Sequence, residues 1–349
     1  MGKKLTGYVG TYTKADSEGV YKFTLDLDDE SITEVTPVAK LNNPTYLTVT
    51  KDNKFLYAVS KEGDNGGVTA FAIDDETGDL TKLNSKASAG SPPCHVSVTD
   101  DNTNVVTANY HTKKIKSYLI NTDGSLKLVA DVVEHEGSGP HERQEKPHMH
   151  FAGFTPDEKY VITIDLGSDS LTTYAVNNGE LTKVHTLKTK PGSGPRHMVF
   201  HPDGKHAYVM TELTSEVIVL EYHAEDGHFT EKQYINAIPS DYNDVNDGSA
   251  IHITKDGKFV YVANRGHNSI AAYEVDQATN KLTLVESKST EGDWPRDFVL
   301  DPSNRYLVAS NQKTGTLTLF RREETTGKLT MIQAGITAPE AVCVKFLND

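Results

Sequence analysis

In the stretch GSGPRHMVFHPDGKHAYVM, residues 192–210, a Gly-rich turn runs straight into Arg196 and His197, and an apolar run follows. A guanidinium and an imidazole at the root of a buried strand are costly unless they are paired or have a task. Arg265 in NRGHNS and Arg296 in WPRD have similar settings. Arginine offers a planar fork of donors suited to phosphate or carboxylate, so three converging guanidiniums point to a small anionic ligand. Further imidazoles are His95, His148 and His150, the last two in KPHMHF. Each feature also has a plainer reading. Arg196 and Arg296 could pair with Asp297, Glu340 or Glu212, and the histidines could be satisfied core groups. Two imidazoles spaced i,i+2 in a strand share a face, yet no third ligand is fixed beside them, so no metal is expected. Were a metal present, His148, His150 and Asp165 would be its ligands. His201 is read as structural, and Cys94 as a buried, inert thiol.

The elements that must position these residues repeat. Runs such as LTVTKDNKFLYAVS, AGFTPDEKYVITID, MVFHPDGKHAYVMT and IHITKDGKFVYVAN are two β-rich segments around an Asp/Asn/Gly turn. A third strand follows each pair, as in VTAFAID or IAAYEVD, and a fourth follows a further turn, as in GDLTKL or GELTKV. Anchored on that turn, the unit recurs at Asp52, Asp101, Asp157, Asp203, Asp256 and Ser303, at intervals of 49, 56, 46, 53 and 47 residues. A four-stranded unit at this period predicts a β-propeller. Six whole units leave an orphan first strand at the C-terminus (APEAVCVKFL) and three orphan strands at the N-terminus. One split blade built from both ends would complete seven and close the ring. The expectation is an all-β, seven-bladed propeller over residues 1–349, in one domain.

In that arrangement the first strand of each blade lines the central channel. Aligned on the turn, the strands begin at Thr45, Cys94, His150, Arg196, Ser249, Arg296 and Glu340. The next positions are Tyr46, His95, Phe151, His197, Ala250, Asp297 and Ala341, and plain core follows. The loops from second to third strands add Tyr110, His111, Asp165, Glu212, Arg265, His267 and Gln312 at the same end. Polar and charged groups therefore gather at one mouth of the channel, where loops on a rigid scaffold carry sites.

Bulk properties narrow the classes. With 35 basic and 49 acidic residues, the net charge of −14 argues against nucleic acid and anionic membrane as partners. Two cysteines exclude a disulfide scaffold. The N-terminus lacks an apolar signal segment, Gly2 is followed by strand-like sequence and not by a myristoylation signal, and no run is long enough to span a membrane. A cytoplasmic location is expected. The chain lacks the G-x-S-x-G elbow, the P-loop and H-E-x-x-H, and its repeats lack the Trp-Asp ending of WD40 blades.

The segments GSGPRHMVFHPDGKHAYVMTEL, AIHITKDGKFVYVANRGHNSIAAY and KPHMHFAGFTPDEKYVITIDLGSDSL resemble the seven-bladed propeller lactonases over essentially the whole chain. G-P-R-H-x-x-F-H-P is the most specific mark, and GSGPHERQEKPHMH resembles the family's long loop before its third blade. The resemblance implies metal-independent, cofactor-free hydrolysis of 6-phosphoglucono-δ-lactone to 6-phosphogluconate, a pentose phosphate step. On chemical grounds, a neutral imidazole with pKa near ~6.5 suits the general base. His197 is assigned to that role, with His150 as competitor. Glu212 would orient His197 or the water, and Arg196 would stabilise the oxyanion. Arg265 and Arg296 would hold the phosphate, with His148 and His95 as further substrate contacts. The alternatives are a lactonase or cycloisomerase acting on another sugar lactone or carboxylated cyclic ester, and a non-enzymatic protein-binding propeller.

Overall fold

The computed structural model describes residues 3–349, so Gly2 lies outside the described residues. Seven four-stranded antiparallel sheets surround a channel. Among the described residues there is no helix, so none is long and apolar enough to cross a membrane. The first strands of successive sheets lie against one another around the axis. Counting blades from the first complete sheet, these inner strands include His95–Val98 in blade 2, Met149–Phe154 in blade 3, Pro195–Phe200 in blade 4, Asp247–Ile253 in blade 5 and Pro295–Leu300 in blade 6. Blade 7 is split. Its inner strand, Ala341–Phe346, pairs with Lys4–Thr11 near the N-terminus, and Gly19–Asp26 and Ser31–Lys40 complete the sheet.

The repeated turn is chemically legible. In blade 1 the Thr50 hydroxyl donates to Asp52 Oδ1 at 2.7 Å and accepts from the Phe55 N–H at 3.0 Å. Thr155 with Asp157, and Thr254 with Asp256, repeat this device. The following residue turns with positive φ, and Asn53 and Gly257 supply it at 59° and 70°. His201 serves the same hairpin in blade 4, accepting from the Asp203 N–H at 3.0 Å. It is structural there, as expected.

Apolar residues on both faces of the sheets form seven clusters, one in each interface between neighbouring blades. A second device latches several of these interfaces. A buried tyrosine on the second strand sends its hydroxyl to a carbonyl in the outer hairpin of the next blade. Tyr8 reaches Gly78 O at 2.7 Å, Tyr57 reaches Gly124 O at 2.7 Å, and Tyr208 reaches Asn280 O at 2.9 Å. Each latch satisfies two buried polar groups that would otherwise destabilise the interface.

Removing residues 338–349 deletes the inner strand of blade 7 and opens two apolar interfaces at once. The truncated chain is expected to lose its cooperative thermal transition in calorimetry. An unchanged transition would show that the terminal strand is not needed to close the ring.

Candidate active site

A cavity of about 630 Å³ opens at one mouth of the channel. Thr45, Cys94, His150 and Arg296 reach it from the starts of inner strands, and Tyr110, His111, Glu212 and Arg265 from the second-to-third loops. Five cationic and two acidic side chains line it, so the mouth is positive in a chain of net charge −14.

Local backbone explains why arginines can stand there. The inner strands of blades 3, 4 and 6 carry bulges, between Met149 and Phe151, Pro195 and His197, and Pro295 and Asp297. The extra residues are His150, Arg196 and Arg296. A bulge leaves its residue out of the ladder and re-aims the side chain. The Gly-rich turn before Arg196 is held by Asp169, whose carboxylate accepts from the N–H groups of Gly192 at 2.7 Å and Gly194 at 2.8 Å. Gly194 has φ +59°, and a Cβ there would meet Leu213.

Glu212 is the centre of the charge network. Its Oε2 lies 3.2 Å from Arg196 Nε and 3.1 Å from Arg265 Nη2, and its Oε1 pairs with Arg143 Nη2. Burial pushes its carboxyl up, but Arg265, Arg196, His150 and Arg143 together hold it well below the usual range. Arg143 also binds Asp247 Oδ1 at 2.9 Å. Burial, then repulsion from Arg265, lowers Arg196 to about 9, so it remains charged at neutral pH. Its Nη1 is buried and finds no partner among the described residues. Arg296 has no carboxylate partner among them. Its Nη1 donates to the Tyr12 hydroxyl at 2.9 Å, and its guanidinium lies 5.2 Å from the Tyr12 ring centre. Lys14 lies 4.4 Å from the same ring.

The imidazoles occupy two layers. His150 borders the cavity, with Nδ1 3.7 Å from Cys94 Sγ. Below it, a smaller chamber of about 200 Å³ is bordered by His95, His197, Tyr46 and Lys345. His95 packs between Tyr46 and Phe151, at centroid distances of 4.4 and 4.5 Å. His197 meets His95 at 5.1 Å and His150 at 5.2 Å, both edge to face. Burial lowers all three imidazoles, His95 to about 3 and the other two well below the ordinary value, and Arg196 adds to the effect on each. Burial also raises the Cys94 thiol to about 11, which keeps it neutral.

The curated 6-phosphogluconolactonase of Bacillus subtilis is 53% identical to this chain over 346 residues, covering 99% of each. A family model described as "Lactonase, 7-bladed beta-propeller" matches residues 6–346. The chain belongs to the seven-bladed β-propeller lactonase family. A crystal structure of a Lactobacillus plantarum protein superposes with a TM-score of 0.95 at 41% identity, covering 99% of this chain and 100% of that one. The periplasmic gluconolactonase of Pseudomonas aeruginosa superposes with a TM-score of 0.94 at 30% identity, covering 99% of both chains.

In this propeller lactonase several sequence expectations need correcting. Glu212 does not orient His197, because its oxygens are taken by three guanidiniums. His197 and His95 do not border the upper cavity; one residue beyond the strand start, side chains point down the channel. Arg196 stands behind the cavity wall and is almost wholly buried. Arg265 borders the cavity, but it also donates from Nη2 to Gly248 O at 3.0 Å and from Nε to Asp247 O at 3.3 Å, so it braces the wall. His148 is absent from the cavity. It stacks on Tyr110 at 4.1 Å and uses both ring nitrogens, on Tyr110 O and Glu145 Oε1, each at 3.0 Å. The bulge at His150 breaks the alternation that would have put His148 and His150 on one face. Asp165 is occupied by the N–H groups of His148 and Gly167, at 2.8 and 2.9 Å.

Sequence reasoning missed Arg143. It lies in the loop before blade 3, six residues ahead of the inner strand that starts at Met149. The adjacent Gln144, fully buried, fixes that loop by donating to Leu166 O at 2.8 Å and Asp169 Oδ1 at 2.7 Å. The available signals were the unusual length of the loop and the resemblance of GSGPHERQEKPHMH, which contains Arg143, to the family's loop.

The three lowered imidazoles make stability fall in acid. Below an unfolded pKa of ~6.5 the unfolded chain takes up protons that the folded chain refuses, so each group's contribution is present above ~6.5 and is lost as pH falls toward its folded value. The limiting slope is about 1.4 kcal/mol per pH unit per group, or about 4 for three. Denaturant midpoints measured from pH 7.5 to 5 should fall steeply below pH 6.5. A flat profile would mean that these imidazoles titrate normally.

Proposed function

We propose that this chain hydrolyses 6-phosphoglucono-δ-lactone to 6-phosphogluconate by direct water attack at the channel mouth. The observation that carries this reading is the unneutralised cation pair at the cavity rim, Arg296 and Lys14, both against the Tyr12 ring, set beside a floor of neutral imidazole. A phosphate dianion supplies the counter-charge that Arg296 lacks. The ring carbonyl then lies toward Arg143 and Arg265. Arginine has five N–H donors, and Arg143 commits only part of its fork to Glu212 and Asp247. Its remaining donors can meet the oxyanion as charge develops.

His150 is the base in this reading. It borders the cavity, is neutral throughout the physiological range, and can accept a proton from water. His197, the first candidate from sequence, packs against its ring from below and is a positioning residue. Arg196 acts through Glu212 and through its field. A lowered imidazole is a weak base, but a strained lactone is already an activated ester, so modest help suffices. A cytoplasmic location goes with this substrate, since sugar phosphates do not cross membranes unaided. The ligand is a small phosphorylated lactone, and neither nucleic acid nor membrane has a part in the reaction.

The neighbouring gluconolactonase structure favours a second reading, hydrolysis of a lactone without phosphate. Turnover on both substrates separates the two, after correction for spontaneous hydrolysis. Arg296→Ala should raise KM for the phosphorylated lactone, leave kcat nearly intact, and change little with gluconolactone. Equal damage with both substrates would remove the phosphate from Arg296. His150→Gln should lower kcat on the order of 10²-fold with either substrate. If His197→Gln is the more damaging change and His150→Gln is near parental, the base lies in the lower chamber.

The pH profile gives an independent check. An ordinary imidazole of pKa ~6.5 would be about nine-tenths protonated at pH 5.5 and would lose most of its activity as a base. Because His150 is held well below that value, kcat measured on folded protein should stay nearly level from pH 8 to 5.5. A tenfold fall centred near 6.5 would contradict the assignment.

A further inference from the structure

Away from the channel, a groove of about 400 Å³ runs along the outer rim between blades 3 and 4. His185 comes from the outermost strand of blade 3, Glu180–Lys188. Asp226 and His228 come from the hairpin that leads into His228–Asn236, the outermost strand of blade 4. One donor atom from each of the three lies within 4.8 Å of the other two. None of them contributes to the hydrolytic site.

We propose that His185, Asp226 and His228 form a divalent transition-metal site, of the zinc, cobalt or nickel class, that clips blade 3 to blade 4. Two imidazoles and one carboxylate are a donor set suited to these ions and poorly suited to magnesium or calcium. His228 Nδ1 stands 2.5 Å from Asp226 Oδ1, and His185 Nε2 stands 3.8 Å from Asp226 Oδ2. Ligands around a tetrahedral ion with bonds of ~2.1 Å are separated by ~3.4 Å. The two distances run to the two oxygens of one carboxylate and fall on either side of that value, so rotations of these partly exposed side chains that release the His228–Asp226 hydrogen bond admit an ion. Its fourth position faces solvent and takes water.

The frame is set before any ion arrives. The Thr173 hydroxyl in blade 3 donates to Gly227 O at 2.7 Å, which pins the ligand-bearing hairpin to its neighbour. Gly227 permits this approach; it has φ +80°, and a Cβ there would stand 2.7 Å from the Thr173 methyl. The His223 ring lies parallel to that of His228, with centres 3.9 Å apart and planes 6° apart, and so fixes the orientation of that ligand. Blade 3 has Ile162 where blades 1, 4 and 5 carry the latching tyrosine; here Thr173 makes the latch to Gly227 O, Tyr160 reaches Glu225 O at 3.5 Å, and a metal clip would add to both.

The test uses the full chain, without an affinity tag and stripped by chelator. Zinc is titrated by calorimetry, and the melting temperature is followed with and without it. One equivalent should bind and raise the melting temperature in a concentration-dependent way. Cobalt in the same site should give visible absorption bands of low-symmetry nitrogen and oxygen ligation. His185→Gln should weaken binding by at least about tenfold and abolish the thermal shift, while leaving metal-free melting and lactone turnover unchanged. Asp226→Asn should do the same to binding. The proposal is overturned if zinc does not bind in the micromolar range, or if His185→Gln binds it with undiminished affinity and thermal shift, which would put the ion elsewhere.

Discussion

One buried carboxylate makes the mouth of this propeller possible. Glu212 is 3% exposed and holds the guanidiniums of Arg143, Arg196 and Arg265 around it. Three such cations packed together would otherwise repel one another with little water to screen them. Removing one member of a buried ion network of this kind typically costs about 3–5 kcal/mol, because the others stay buried without it. Its backbone is as constrained as its side chain. The Glu212 N–H donates to Gly194 O at 2.7 Å, and its carbonyl accepts from Gly248 at 3.1 Å. The same residue thus ties the turn that launches Arg196 to the strand that begins blade 5.

Charge at the mouth is local. At physiological salt the Debye length is ~8 Å, so the acidic outer surface is largely screened from a ligand inside the cavity. What the ligand meets there is the excess of arginine and lysine, with Arg296 left without a carboxylate. The imbalance is also specific. Arg143, Arg196 and Arg265 share the two carboxylates of Glu212 and Asp247 and are held in place by them, while Arg296 is held only by Tyr12. A rigid wall with unneutralised cations at its rim, Arg296 and Lys14, binds an anion with little rearrangement, and little entropy is lost in ordering it.

The layered imidazoles follow from the same geometry. At the channel axis, strands converge and their first residues crowd together. Aromatic rings and neutral imidazoles fill that space, and burial with Arg196 nearby keeps them unprotonated. His150 alone among these three borders the upper cavity, because it sits on a bulge. The ring below it supports it. At the opposite extreme of several blades, the outer hairpins are met by tyrosine or threonine hydroxyls from the neighbour, so both the centre and the rim are braced.

Much of this was legible in the chain. The turn-anchored repeat, the split blade and the concentration of Arg196, Arg265, Arg296, Glu212 and His150 at one end follow from strand periodicity and from turn chemistry, which depend only on nearby residues. The direction of each side chain at that end was not legible. Strict alternation gives His148 and His150 one face, and only the bulge separates them. Partner choice was also hidden. Glu212 is near His197 in the same blade, yet three guanidiniums claim it, one of them from a loop 69 residues away in sequence. The rim cluster joins His185 to Asp226 and His228 only because two outer strands from successive blades come side by side. Sequence by itself determined the repeating unit, its number and the end of the ring that carries charge, because hydrogen-bonded hairpins are local. The tertiary structure decided which groups face the cavity and which ions pair, because bulges, ring closure and burial act between segments far apart in the chain.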